Sequence, residues 1–237
     1  MSNVIILIDG QNLYYGLKDL SLNEWDISWD KLFNSLLTPG DKLIRTYWFR
    51  PQKILDTYFT SHHIRSNICY KKFNGYIAAY NQDSTTVPAH IITQIETEAD
   101  ITEKWLKEVK EKFSKSEYKY DQISMDFDDI EVVKTGVVKI DPYKQLILGE
   151  KGVDISLAVK MIALSVQKKC DKIILISGDY DYAEAIRFVK DNMTKIHLVK
   201  LHKGHPPKNK SVSRDLAILA DKVLDLYESD IKTSFLK

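Results

Sequence analysis

The sequence predicts an α/β fold: a mostly parallel β-sheet covered on both faces by helices, with a helical insertion in the middle of the chain. Short, continuous apolar runs rich in β-branched residues, Val4–Ile8 and Lys172–Ile176, read as strands buried on both faces. From about residue 154 to 201, helical and strand-like segments alternate, as in a parallel sheet joined by crossover helices. Between Ile54 and Ile130 that alternation is lost, which sets the insertion apart.

The elements follow in chain order. The strand Val4–Ile8 ends at Asp9-Gly10, and a helix runs from Asn12 to about Leu20. Asp30–Leu37 reads as a second helix, stopped by Thr38-Pro39-Gly40. Lys42–Phe49 is a strand, broken by Pro51. In the insertion, Ile91, Ile95, Ala99, Trp105, Val109 and Phe113 recur at roughly helical spacing among Glu and Lys, which predicts one or two amphipathic helices. Glu131–Ile140 and Lys144–Leu148 read as two short strands joined through Asp141-Pro142. Then come a helix over Asp154–Lys168, a buried strand Lys172–Ile176, a helix Tyr182–Asp191, a strand Lys195–Leu201 and a mostly helical Ser213–Tyr227.

A chain of 237 residues suits a single domain, here with residues 54–130 inserted in it. The apolar fraction of 44% supports a real core. With 34 basic and 33 acidic residues the net charge is +1, so nucleic acid cannot be held by overall charge and would need a local basic patch. Two cysteines, Cys69 and Cys170, are too few for a disulfide framework and match no zinc spacing; reduced thiols in a cytoplasmic protein are expected. The longest apolar runs are of strand length, so neither a signal peptide nor a membrane span is expected.

The chemistry gathers at strand ends. The strand IILI runs into Ser177-Gly178 and then places two carboxylates, Asp179 and Asp181, at alternate positions. Asp9 ends the first strand, and Asp154 opens the helix that leads into Lys172–Ile176. In a parallel sheet all strand C-termini share one edge, where ligands bind at a switch in strand order. The four aspartates should therefore converge. Like charges at close range raise one another's pKa, and a hard divalent cation offsets the repulsion. Oxygen-only ligands suit Mg²⁺ or Mn²⁺, and such a site can present water to a phosphodiester. Taken singly, each acid has a plainer reading. Asp9 could just end a strand, Asp154 could favour a helix's first turn, and Asp179 or Asp181 could cap the next helix. Capping fits Asp181 well. Asn12 is as easily a helix start as a ligand orienter. Lys151 and Ser177 are candidates for substrate contact, although a lysine there is more often simply solvated.

IDGQN (Ile8–Asn12), EKGVD (Glu150–Asp154) and SGDYDY (Ser177–Tyr182) together resemble the NYN domain, and within it the bacterial LabA-like branch of the PIN-like nuclease superfamily. SRDLAILAD (Ser213–Asp221) resembles the closing segment of that branch. The resemblance covers about Met1–Arg50 and Glu131–Tyr227. It implies a Rossmann-like three-layer α/β/α sandwich and Mg²⁺- or Mn²⁺-dependent ribonuclease activity. By the same resemblance, Asp9, Asp154 and Asp179 are metal ligands, Asp181 is an accessory acid and Asn12 is the polar residue after the first strand. Tyr182 stands where the family often has Phe.

The loop from His202 to Arg214 carries Lys203, Lys208, Lys210 and Arg214 and should lie at the acid end of the sheet. There it would grip a phosphate backbone or be a solvated connector. Tyr14, Tyr15, Tyr180 and Tyr182 surround the acids and could stack on unpaired bases, though helix-face or core positions are commoner for tyrosine. The first expectation is an endoribonuclease acting on single-stranded RNA. A non-catalytic RNA-binding or scaffolding module and a DNA-directed nuclease are the alternatives. Self-association is left open.

Overall fold

A computed structural model describes residues 1–209 and 212–237. In chain order the first elements are β1 (Ser2–Asp9), α1 (Gly10–Asp19), α2 (Trp29–Ser35) and β2 (Asp41–Arg50). Next come β3 (Lys53–Ile54), α3 (Ser61–Lys72), α4 (Ile77–Gln82) and the long α5 (Ala89–Asp126). β4 (Ile130–Lys134), β5 (Val137–Asp141) and β6 (Leu146–Lys151) follow. The last third holds α6 (Val153–Val166), β7 (Lys172–Ile176), α7 (Ala183–Asp191), β8 (Lys195–His202), α8 (Arg214–Leu219) and β9 (Lys222–Tyr227). The chain divides into two compact units, one of residues 1–52, 120–136 and 151–237, the other of residues 53–119 and 137–150.

The first unit is the expected sandwich. Its sheet has the order β4-β2-β1-β7-β8-β9, and each of the neighbouring pairs is parallel. Alternate side chains of β1 serve opposite cores, as the two-residue period of a strand requires. Val4, Ile6 and Ile8 pack with Leu13 and Leu17 of α1 and Leu32 and Phe33 of α2. Ile5 and Leu7 pack with Leu157 and Met161 of α6 and Ile186 and Val189 of α7. The chain builds outward from β1 through β2 to β4, then returns to the other side of β1 through β7, β8 and β9. Strand order therefore reverses between β1 and β7. At the opposite, N-terminal end of these strands, Lys172 donates to Asp41 at 2.6 Å, a buried ion pair joining β7 to β2.

The second unit has its own small core. Ile91, Ile95 and Ala99 of α5 pack with Ile64 and Ile68 of α3, and further along Leu106 packs with Ile54, Val138 and Ile140. The apolar spacing of this segment thus forms one long helix. The unit is not purely helical, however, because β3, β5 and β6 form a three-stranded sheet within it. Its limits also differ from the expected 54–130. Tyr120 and Ile123, on the last turns of α5, are buried in the first unit's core, and β4 extends the large sheet. The boundary falls inside a continuous helix, where composition does not change.

Two expected elements are corrected. Glu131–Ile140 is not one strand: Thr135 and Gly136 separate β4, on the large sheet, from β5, on the small one. Gly136 has φ +70°, which an L side chain rarely adopts, and breaks the extended run. Ser213–Tyr227 is not mostly helix, since α8 ends at Leu219 and Lys222–Tyr227 is the edge strand β9. The apolar residues Leu216, Leu219 and Val223 keep a helix-like spacing, but the open edge of β8 offers Lys222–Tyr227 a full parallel ladder from His197 to His202.

Candidate active site

Register brings the acids together. Ile8 pairs with Ile176, so Asp9 and Ser177 leave the sheet side by side at the switch point between β1 and β7. Asp9 caps α1: its Oδ1 accepts the backbone N–H of Asn12 at 3.0 Å. Its Oδ2 accepts the hydroxyls of Tyr182 at 3.0 Å and Ser177 at 3.2 Å. Capping and clustering are thus compatible, because they use different oxygens.

Ser177 also accepts the N–H of Asp179 at 3.2 Å, and Asn12 Oδ1 accepts the N–H of Gly178 at 3.0 Å. The tip of β7 is thereby tied to both Asp9 and the start of α1. Asp179 in turn accepts the N–H of Asp181 at 3.0 Å and caps the short turn Tyr180–Tyr182. That turn carries the Tyr182 ring down into the core beneath the acids, where it is 1% exposed. Asp154 stands in the first turn of α6, after Gly152 with φ +89°.

The electrostatics couple the three acids through Asp9 and Tyr182. Burial raises the Asp9 carboxyl above its ordinary value; the hydrogen bonds from Asn12, Tyr182 and Ser177 partly offset this, and the charge of Asp154 adds to the rise. The Tyr182 phenol is pushed up first by burial, then by Asp9, and further by Asp154 and Asp179. Tyr182 therefore lies within the field of Asp9, Asp154 and Asp179, which come from three separate parts of the chain. Asp181 is exposed, and its backbone N–H rather than its carboxylate enters this network. Among the described residues, no three His, Cys, Asp or Glu side chains stand close enough to hold a metal ion by themselves.

The other candidates are placed as follows. Ser177 is buried and works as a bridge between Asp9 and Asp179. Lys151 is exposed at the end of β6. Lys203 follows β8, and its Nζ donates to the Asp19 carbonyl at 2.7 Å, at the end of α1. Lys208 and Arg214 are exposed, and Lys210 lies outside the described residues. Tyr14, Tyr15 and Tyr180 are about half exposed, at 45%, 54% and 47%, so their rings are accessible as that of Tyr182 is not. A cavity of about 130 Å³ lies between α1 and the ends of β7 and β8, bordered by Asn12, Tyr15, Asp19, Ser177, Gly178 and Leu201; none of the four candidate aspartates lines it. The anchoring role of Tyr182 was missed from sequence. The signal for it was chemical: a buried tyrosine hydroxyl needs a partner, and the motif holds acids on either side of the strand tip.

A parallel α/β/α sandwich with acids from separate segments at its switch point has the architecture of a PIN-like nuclease domain. Residues 3–227 match the NYN domain, and the chain belongs to that family. No curated protein matches it in sequence. A solved structure aligns over 100% of this chain and 96% of its own, with 13% identity and a TM-score of 0.47. It is the crystal structure of VPA0982 from Vibrio parahaemolyticus, a protein of unknown function.

Proposed function

We propose that the protein is a divalent-cation-dependent endoribonuclease that cleaves single-stranded RNA in the cytoplasm. The observation that carries this reading is that Asp9, capped and hydrogen-bonded at the β1/β7 switch point, shares the electrostatic surroundings of Tyr182 with Asp154 and Asp179. Asp9 is a buried carboxylate whose ionised form is disfavoured, with a second acid adding to the cost. A hard cation relieves that cost. The donors are all oxygens, which fits Mg²⁺ or Mn²⁺, and Mg²⁺ needs only one or two carboxylates because it retains several waters. Asp9, Asp154 and Asp179 would hold it, in part through the waters it retains. A cation bound there lowers the pKa of water and stabilises charge building on phosphoryl oxygens.

The chain's own residues do the positioning. Ser177 and Tyr182 fix the orientation of the Asp9 carboxylate. Asn12, held through its oxygen by Gly178, keeps the tip of β7 against α1 and retains its amide N–H groups as donors. The exposed Tyr14, Tyr15 and Tyr180 offer stacking surfaces for unpaired bases, and Lys151, Lys208 and Arg214 supply nearby or loop-borne positive charge for the phosphates.

The test incubates purified protein with labelled single-stranded RNA, duplex RNA and single-stranded DNA in Mg²⁺, Mn²⁺ or EDTA. Cleavage of single-stranded RNA is expected only with metal. Asp9→Asn, Asp154→Asn and Asp179→Asn should each reduce it by at least about 100-fold while leaving the circular-dichroism spectrum unchanged. Equal cleavage of DNA would replace the substrate, and RNA binding without turnover in either metal would favour a binding module.

A further inference from the structure

Helix α6 is apolar on both sides. Its inner side, Val153, Leu157, Met161 and Leu164, is buried in the core of the first unit. Its outer side bears Ile155, Val159 and Val166, spaced four and seven residues apart in one stripe, while Ile162 between them is partly buried and packs against the inner core. Ile155 is 69% exposed, Val159 59% and Val166 55%. The charged residues of the helix, Asp154 and Lys160, lie off this stripe, with Lys160 turned onto the ring of Tyr47. On the same helical layer Phe188 of α7 and Ile218 of α8 are 45% and 68% exposed. A surface helix has no use for a second apolar side unless something covers it.

We propose that a second copy of this chain covers it, with α6 packing antiparallel on α6 across a two-fold axis. Three features select that occupant. Exposed apolar residues four and seven apart form a stripe along which a helix can pack on another helix, its own copy included. The two ends of α6 are also oppositely charged. Asp154 stands in the first turn, and exposed Lys168 and Lys169 follow the last. Antiparallel packing sets each Asp154 end beside the lysine pair of the other copy and aligns opposed helix dipoles. Finally, the exposed apolar side chains of this layer present on the order of 500 Å² per copy, about the 1,000 Å² in total that a specific interface must clear. The packing would also bring basic charge from one copy to the acid end of the other.

Sedimentation equilibrium at micromolar protein should give about twice the 27.4 kDa chain mass. Val159→Glu should give the monomer mass with an unchanged thermal melt, since the side chain is exposed. Orientation is read by oxidation, because the native Cys69 and Cys170 are buried. The double variant Ile155→Cys/Val166→Cys should form a disulfide-linked dimer, and neither single variant should. A monomeric wild type, or a dimer that survives Val159→Glu, would overturn the interface. Cross-linking of the single variants would overturn the antiparallel arrangement.

Discussion

Asp9 carries an energetic conflict. Its carboxyl is raised by burial and by Asp154, while three donors hold it in place. The linkage therefore has a definite sign. A carboxyl whose folded pKa lies above its unfolded value near 3.8 contributes stability that is fully present below that value and lost as pH rises through the raised folded pKa. Asp9→Asn removes the titration. Its amide oxygen can still accept from Asn12, and its NH₂ can face the hydroxyls of Ser177 and Tyr182, which turn to accept. The variant is expected to match or exceed wild-type stability at pH 7, with its advantage shrinking toward pH 4 in urea melts taken across that range. If the proposed site holds a cation, metal should raise the melting temperature of wild type and not of Asp9→Asn, which lacks one of its ligands. Tyr182→Phe acts in the opposite sense. It removes a donor from a buried carboxylate and should cost about 1.5–3 kcal/mol at pH 7, a loss that shrinks as Asp9 is protonated.

The joints between β4, β5 and α6 depend on Gly136. A Cβ there would lie 2.4 Å from the carbonyl oxygen of Lys151 and 3.0 Å from the backbone nitrogen of Val153, at a φ of +70°. Neither neighbour is a flexible side chain, so backbone must move. Gly136→Ala should destabilise the protein by about 3 kcal/mol or more. It should also weaken any metal-dependent stabilisation, because the displaced segment leads directly into Asp154. Gly149→Ala serves as the control. It too has a positive φ, but nothing lies within 4 Å of its Cβ, so it should pay only the backbone strain.

The two ends of the large sheet respond to acid in opposite directions. At the N-terminal end, burial alone would raise Asp41, but hydrogen bonds from Lys172 and Thr38 outweigh it and hold the carboxyl at about 2. Its contribution is present above the unfolded value and lost as pH falls through the folded one. Asp41→Asn should therefore lower stability at neutral pH by about 2 kcal/mol and flatten the acid limb between about pH 4 and 2, the reverse of Asp9→Asn. With a net charge of +1, the proposed RNA binding would have to come from focused patches. Changing Lys208 and Lys210 to Ala should weaken RNA binding to a similar degree across sequences and reduce the salt slope by up to roughly 0.7 per lost phosphate contact in a filter assay. Lys203 is a poorer choice for that test, since its substitution also removes a donor from the end of α1. Unchanged binding and slope would leave the loop as a connector.

The sequence by itself determined the layers of the sandwich and the end of the sheet at which its acids meet. Short continuous apolar runs rich in β-branched residues, bounded by turn signals, fit strands buried on both faces. In a parallel sheet such strands share one C-terminal edge, which places Asp9 and Asp179 at the same end of the sheet, with Asp154 opening α6. Local pattern could not decide which contacts each acid makes. The Tyr182 hydroxyl and the Ser177 bridge depend on β1 and β7 lying side by side with Ile8 level with Ile176. Nor could it place β9, whose residues fit a helix until the open edge of β8 supplies backbone partners. The limit of the second unit lies inside α5, where the same helical pattern packs first against one core and then against another. Periodicity reports which side of an element is buried. Which partner buries it is settled by long-range packing, and that exists only once the chain has folded.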